Sequence, residues 1–335
     1  MFNLGISRWA LYGSDLGGLT THYVERTLEL RGTQGLGSKP RPGLLGPLLS
    51  RLHGTLLDSV RMGFLHSSRV HGGIPAALRR AADVRYVGHS GATEGATALH
   101  FELPEFGAVA EELFRQRQLW ETGPRPEQTA MDLLALTISD VRREARDSER
   151  FDHALLDRLA RYGPMFRRGL TAIALVDARA PQPAQIDSAL SAAAATLSHD
   201  TPPARRVRVC ARLDMLGVSR RVLGLLIDSG TPVTALWTAD GFIDLAPLLG
   251  QQVVIEGLAA FRPSGALLRV DADAIRTATA QDTFFAKLPV SEKRRNYLKE
   301  AAATRLGERP YDSIIGILPA DESDEEFTRA VEELS

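Results

Sequence analysis

Few residues in this chain have types and spacing that invite chemistry, and each group meets a physical objection. Residues 32–39, "GTQGLGSK", have the glycines of a phosphate-binding loop. Such a loop needs Lys and then Ser or Thr directly after its last glycine, so that the amine and the hydroxyl reach phosphate and metal. Here Ser38 precedes Lys39, and Pro40 blocks the helix whose amides would hold the anion. The stretch reads as a loop. His66 and His71 are five apart with neither an HExxH pattern nor clustered cysteine, so no metal site is expected. His89 and Ser90 place a base beside a hydroxyl, but catalytic groups are assembled in space from distant positions, and no G-x-S-x-G elbow surrounds them. Asp271 and Asp273 alternate along a strand as a metal-binding pair would, among arginines that make surface ion pairs the simpler reading. Cys210, the one cysteine, lies in the apolar run "VRVCARL" and reads as a buried, inert thiol. No catalytic residue, metal or cofactor is expected, and the chain reads as non-catalytic; an enzyme of unrecognised type is the remote reading.

A chain of 335 residues with 44% hydrophobic and 24% charged residues has ample core for two domains with appendages. A net charge of −1 disfavours a protein that coats nucleic acid or an anionic membrane. The single cysteine, the absence of a basic and apolar leader in "MFNLGISRWALYGSDLGG" and the lack of any ~20-residue apolar run predict a cytoplasmic protein with no membrane partner.

The elements predict an α+β fold: a mixed N-terminal α+β domain, a small barrel and a C-terminal helical extension. Residues 1–178 form the first domain. In it "HYVERTLELRG" alternates as a half-buried strand, and Leu45, Leu48, Leu49, Leu52, Leu56, Val60 and Phe64 recur at helical spacing from a start near Leu45. A hairpin follows over "ADVRYVGHSGATEGATALHFELP", then helices over "EQTAMDLLALTISDVRREARD" and "DHALLDRLARYGPMFRRG", the latter closing at glycine, and a strand "LTAIALVD". Residues 179–204 give an alanine-rich helix and a linker at Pro202 and Pro203.

Residues 205–280 carry five β-rich runs, Val207–Leu213, Val222–Ile227, Pro232–Trp237, Gln252–Phe261 and Leu267–Ile275, with a short helix in "DGFIDLAPLLG" between the third and fourth. In "GLLIDSGTPVTALW" and "QQVVIEGLAAFRPSG" the pattern resembles an OB-fold barrel. The resemblance implies a nucleic-acid surface as one reading, for which Arg206, Arg208, Arg220, Arg221, Arg262 and Arg269 would supply charge and Trp237 a stacking ring. With Arg205 and Arg212 these make eight barrel arginines, whose charge seven barrel acids nearly cancel.

Residues 281–315 form a basic helical segment, and 316–335 an acidic tail, "GILPADESDEEFTRAVEELS". Ser323 and Glu326 have capping-box spacing, and Phe327, Val331 and Leu334 fall on one helical face. A helix of about twelve residues is marginal alone in water, so the stripe must dock, on its own chain or on a protein partner. The tail is similar to the C-terminal segments of antitoxins paired with PIN-domain ribonuclease toxins. That resemblance implies toxin-facing anchors at Leu318, Phe327, Val331 and Leu334, with Arg329 as the one basic residue among them. Those antitoxins are small, whereas this tail follows more than three hundred residues. The favoured expectation is a protein that binds and regulates a partner protein, with nucleic-acid binding as the alternative.

Overall fold

The computed structural model describes residues 23–32, 40–69, 74–92, 95–114, 123–167, 169–176, 183–218 and 220–292. The described residues divide into two compact units. One runs to Ala145 and includes Ala154–Ala195 and Gly217–Arg220; the other takes Arg146–His153, Thr196–Leu216 and the chain from Arg221 on. The division thus falls at Thr196, ahead of Pro202 and Pro203, and the short stretch Arg146–His153 joins the second unit.

The first unit is built on a five-stranded antiparallel sheet. Its strands are β1 (Tyr23–Gly32), β2 (Arg85–Gly91), β3 (Thr97–Pro104), β4 (Leu170–Val176) and β5 (Ala184–Asp187), in the order β2-β3-β1-β4-β5. Register puts Leu28 between Leu99 and Leu175, and Leu30 between Thr97 and Ile173, so one face is a continuous apolar stripe. All six of these residues are buried. The other face carries Glu25, Thr27, Glu29, His100 and Glu102.

Helices α1 (Pro42–Leu65), α2 (Ala76–Ala81), α3 (Phe106–Val109), α4 (Ala130–Arg142), α5 (His153–Ala160) and α6 (Gly163–Phe166) accompany the sheet. Helix α1 begins three residues before the expected Leu45, because Pro42 supplies the rigid first turn and Pro47 falls inside the helix. Leu48, Leu52, Leu56, Val60 and Phe64 are buried as their spacing predicts. Thr129 and Asp132 form a reciprocal capping box at α4, which packs against α1. The run read as one helix closing at glycine is two: α5 stops at Ala160, and Gly163-Pro164 starts α6. Between α1 and this region Asp58, 4% exposed, accepts from Arg61 (3.1 Å) and Arg158 (2.5 Å), and the fully buried Tyr162 hydroxyl lies 3.0 Å from that of Thr55. Burial pushes the Tyr162 phenol up to about 12.

Helix α7 (Ser188–Asp200) precedes the barrel strands β6 (Arg205–Gly217), β7 (Val222–Leu226), β8 (Pro232–Trp237), β9 (Gln252–Phe261) and β10 (Leu267–Thr277). They close in the cyclic order β10-β8-β7-β6-β9. A 3-10 turn, Phe242–Leu248, lies between β8 and β9, and closure is by parallel pairing of β8 with β10. The interior holds Val209, Ala211, Leu213, Leu223, Leu225, Val233, Ile255 and Val270 with Trp237 and Phe242 at its margin. Gly257, in β9, has the β10 backbone against it: a Cβ there would stand 2.1 Å from the Asp271 carbonyl oxygen. That contact is why glycine is required.

Candidate functional site

The outer wall of β6, β9 and β10 gathers the most charge and the most exposed aromatic surface described in the barrel. Strand alternation turns Val207, Val209 and Ala211 inward, so Arg206, Arg208 and Arg212 stand outside. Register sets Arg208 opposite Glu256 and Arg206 opposite Leu258, and Arg208 Nε lies 2.8 Å from Glu256. A bulge between Ala272 and Ala274 re-aims Asp273, which accepts both Nη groups of Arg206 at 2.9 Å. These pairs are half-exposed and screened by water, so they add little to stability; their main effect is to neutralise the wall.

A second 3-10 turn, Ala280–Phe285, follows β10. Asp282 anchors it by accepting from Arg276 at 2.7 and 2.5 Å and from the Thr279 amide and hydroxyl, both at 2.7 Å. The Arg276 contact, then those of Thr279, hold the Asp282 carboxyl well below the usual carboxylate range. The turn presents Phe284, which is 77% exposed and packs edge-on to Phe285 with centroids 5.6 Å apart. The Arg208 guanidinium stands 5.9 Å from the Phe285 centroid. Leu258 and Leu288, 45% and 41% exposed, add apolar surface. An aromatic ring left in water forgoes about 1.5–3 kcal/mol of burial, so this ledge has a binding surface's energetics. The sequence reading passed over it; the double aromatic "TFF" just after a strand was the available signal.

The remaining residues expected to hold nucleic acid do not line one groove. Trp237 belongs to the core cluster, and its indole donates to the Asp240 carbonyl at 3.0 Å. Arg221, at φ 54°, donates to the Ala239 carbonyl, and Arg220 is 8% exposed. Arg262 donates to the Asp147 carbonyl (2.8 Å) and to Glu149 (2.6 Å). Arg269, 7% exposed, reaches Asp271 at 2.8 Å and Asp152 at 3.5 Å, tying residues 146–153 to β10. The outer face of β7 and β8 pairs Val222 with Leu236, Gly224 with Thr234 and Leu226 with Pro232, without a cation or an aromatic ring.

The tail anchors Leu318, Phe327, Arg329, Val331 and Leu334 lie outside the described residues, as do the basic segment from Lys293 on, His71 and the loop 33–39. Asp271 and Asp273 each pair with an arginine, the simpler of the two readings made of them. Among the described residues no group of three His, Cys, Asp or Glu is placed to hold a metal ion, and no helix is long and apolar enough to cross a membrane. Cys210 is buried, and burial, then Asp282 and Asp228, push its thiol up. His89 and Ser90 point to opposite faces of β2, and Ser90 meets His100 rather than its neighbour.

Comparison with family models, with curated proteins and with solved structures finds no match to this chain.

Proposed function

We propose that this chain is a partner-binding protein that docks another protein on the Phe284 ledge and through its C-terminal stretch. The observation that carries the reading is a solvent-facing Phe284, packed edge-on to the part-buried Phe285, beside an arginine whose charge is already balanced by Glu256. Aromatic and arginine side chains are the anchors of protein interfaces, whereas a phosphate backbone is held by cations with charge to spare. We read the barrel as OB-type: numbered along the chain its strands run 1-2-3-5-4, with strands three and five parallel and the short helix after strand three. In OB folds the second and third strands form the usual oligonucleotide face. Here that face bears only Val, Gly, Leu, Pro and Thr, which favours a protein partner over nucleic acid. The resemblance of the tail to PIN-toxin antitoxins gives the partner its class, a small ribonuclease held by Leu318, Phe327, Val331 and Leu334, in a cytoplasmic setting.

Affinity capture from the native cell extract tests this, with the full chain, a chain truncated after Ile315 and Phe284→Asp as baits. A small nuclease in stoichiometric amount on the full chain, lost on truncation and weakened about tenfold or more by Phe284→Asp, is expected. Equal capture by all three baits overturns the reading. Capture of nucleic acid alone, with affinity falling steeply in salt, would replace it with the nucleic-acid alternative.

A further inference from the structure

Away from the barrel, three neighbouring strands bring together a hydroxyl, an imidazole and a carboxylate. Ser90 is next to the last residue of β2, His100 is in β3 and Glu25 in β1, and the sheet order β2-β3-β1 places them side by side on one face. Ser90 Oγ lies 2.9 Å from His100 Nε2. On the far side of the ring, Nδ1 faces Glu25 Oε1 at 3.7 Å and Thr27 Oγ1 at 3.4 Å. Register explains the reach: His100 stands opposite Gly88, where even a Cβ would have open space, so the ring leans along the strand toward Ser90. Either tautomer satisfies the two hydroxyls, and the Glu25 carboxylate at 3.7 Å favours the one that carries its hydrogen on Nδ1. That leaves the Nε2 lone pair to accept the Ser90 O–H. Ser90 is exposed and so open to a reactant.

We propose that Ser90 is a nucleophile activated by His100 and oriented through Glu25, and that it takes the acyl group of small activated esters. The open face of a sheet admits a small acyl group more readily than it grips a large one. Ser90 Oγ attacks the ester carbonyl carbon while its proton passes to His100 Nε2. The carbon–oxygen bond to the leaving group breaks, and that alkoxide takes the proton from Nε2. Water then attacks the acyl-serine, giving one proton to Nε2. The Oγ–acyl bond breaks, the proton returns to Ser90, and a carboxylic acid leaves. This is the nucleophile, base and orienting-group relation that recurs on unrelated folds. It is independent of the binding reading, since it uses no barrel residue.

The test uses the full chain with p-nitrophenyl acetate, following nitrophenolate release and locating the acetyl group by peptide mass. An acetyl adduct on Ser90 is expected, with release slowed at least about tenfold in Ser90→Ala and in His100→Gln, and less in the more exposed Glu25→Gln. Added imidazole should restore part of the rate to His100→Gln but none to Ser90→Ala, a response that a merely structural histidine would not give. Circular dichroism checks that each variant keeps its sheet. Acetylation confined to amines, or undiminished release from Ser90→Ala, overturns the proposal and leaves the contact as a cross-strand hydrogen bond.

Discussion

Replacing Gly257 by alanine tests the account of the barrel most severely. The added Cβ would stand 2.1 Å from Asp271 O, 2.7 Å from Ala272 Cα and 2.8 Å from Asp271 C. All three atoms are backbone, so no side chain can swing away, and relief requires β10 to move off β9 by about 1 Å. That opens the ladder at Gly257↔Ala272 and Leu258↔Asp271. Two weakened hydrogen bonds at about 1 kcal/mol each, plus overpacking strain of about 1–3 kcal/mol, give a loss of about 3–5 kcal/mol. Trp237 in the barrel core is the reporter; replacing Trp9 and Trp120, the other tryptophans, by Phe isolates its fluorescence. With a urea slope of about 1.5 kcal/mol per molar, the midpoint should fall by about 2–3 M. A shift under about 0.3 M would mean that the two strands are not held this close, and the packing argument would fail.

Further outcomes follow from other residues. Arg269→Ala should cost about 3 kcal/mol in urea unfolding, since it removes the buried guanidinium that pairs with Asp271 and lies 3.5 Å from Asp152, whereas the exposed Arg206→Ala should shift the midpoint far less. Asp282, its carboxyl depressed in the folded chain, stabilises fully above the ordinary carboxylate range. The gap in stability between the parent and Asp282→Asn should therefore hold constant down to about pH 5 and shrink as the pH falls below about 4. Tyr162, its phenol raised to about 12, favours folding below pH ~10; as the pH rises past that, the unfolded chain ionises first and stability falls. Tyr162→Phe should lack that alkaline loss, and absorbance at about 295 nm should show one phenol ionising only near pH 12 in the parent. Gly43→Ala, in the first turn of α1 with open space around its Cβ, should stabilise by about 0.5 kcal/mol in thermal unfolding, whereas Gly46→Ala should not, because Pro47 crowds a Cβ on the helical residue before it.

The five barrel strands were legible because short period-two runs are separated by glycine and proline turns, although β6, Arg205–Gly217, runs past the expected Val207–Leu213 at both ends. Pro232–Trp237 and Gln252–Phe261 have the expected bounds, and the short helix falls where it was read. Helical spacing likewise picked out the buried face of α1. The sites were less legible, since they depend on register, which composition does not carry. Arg206 meets Asp273 only because a bulge re-aims that carboxylate, and Ser90 meets His100 only because the hairpin sets β2 beside β3. Trp237 has the residue type of a stacking ring, but strand alternation turns it into the core. Phe284, which does face solvent, lies in a turn where no periodicity marks it.

Closure of the barrel has a consequence for how the chain is made. Arg205 pairs with Ala259, and β8 is flanked by β10 rather than by the strand that follows it. Neither contact can form locally, so the entropy of bringing distant segments together is lost before the ladder repays it. During synthesis β6, β7 and β8 emerge first, and they stay open-edged until β10 has left the ribosome. This unit should fold late and all at once, and a pause in translation before Thr277 would prolong the interval in which its bare edges seek other strands.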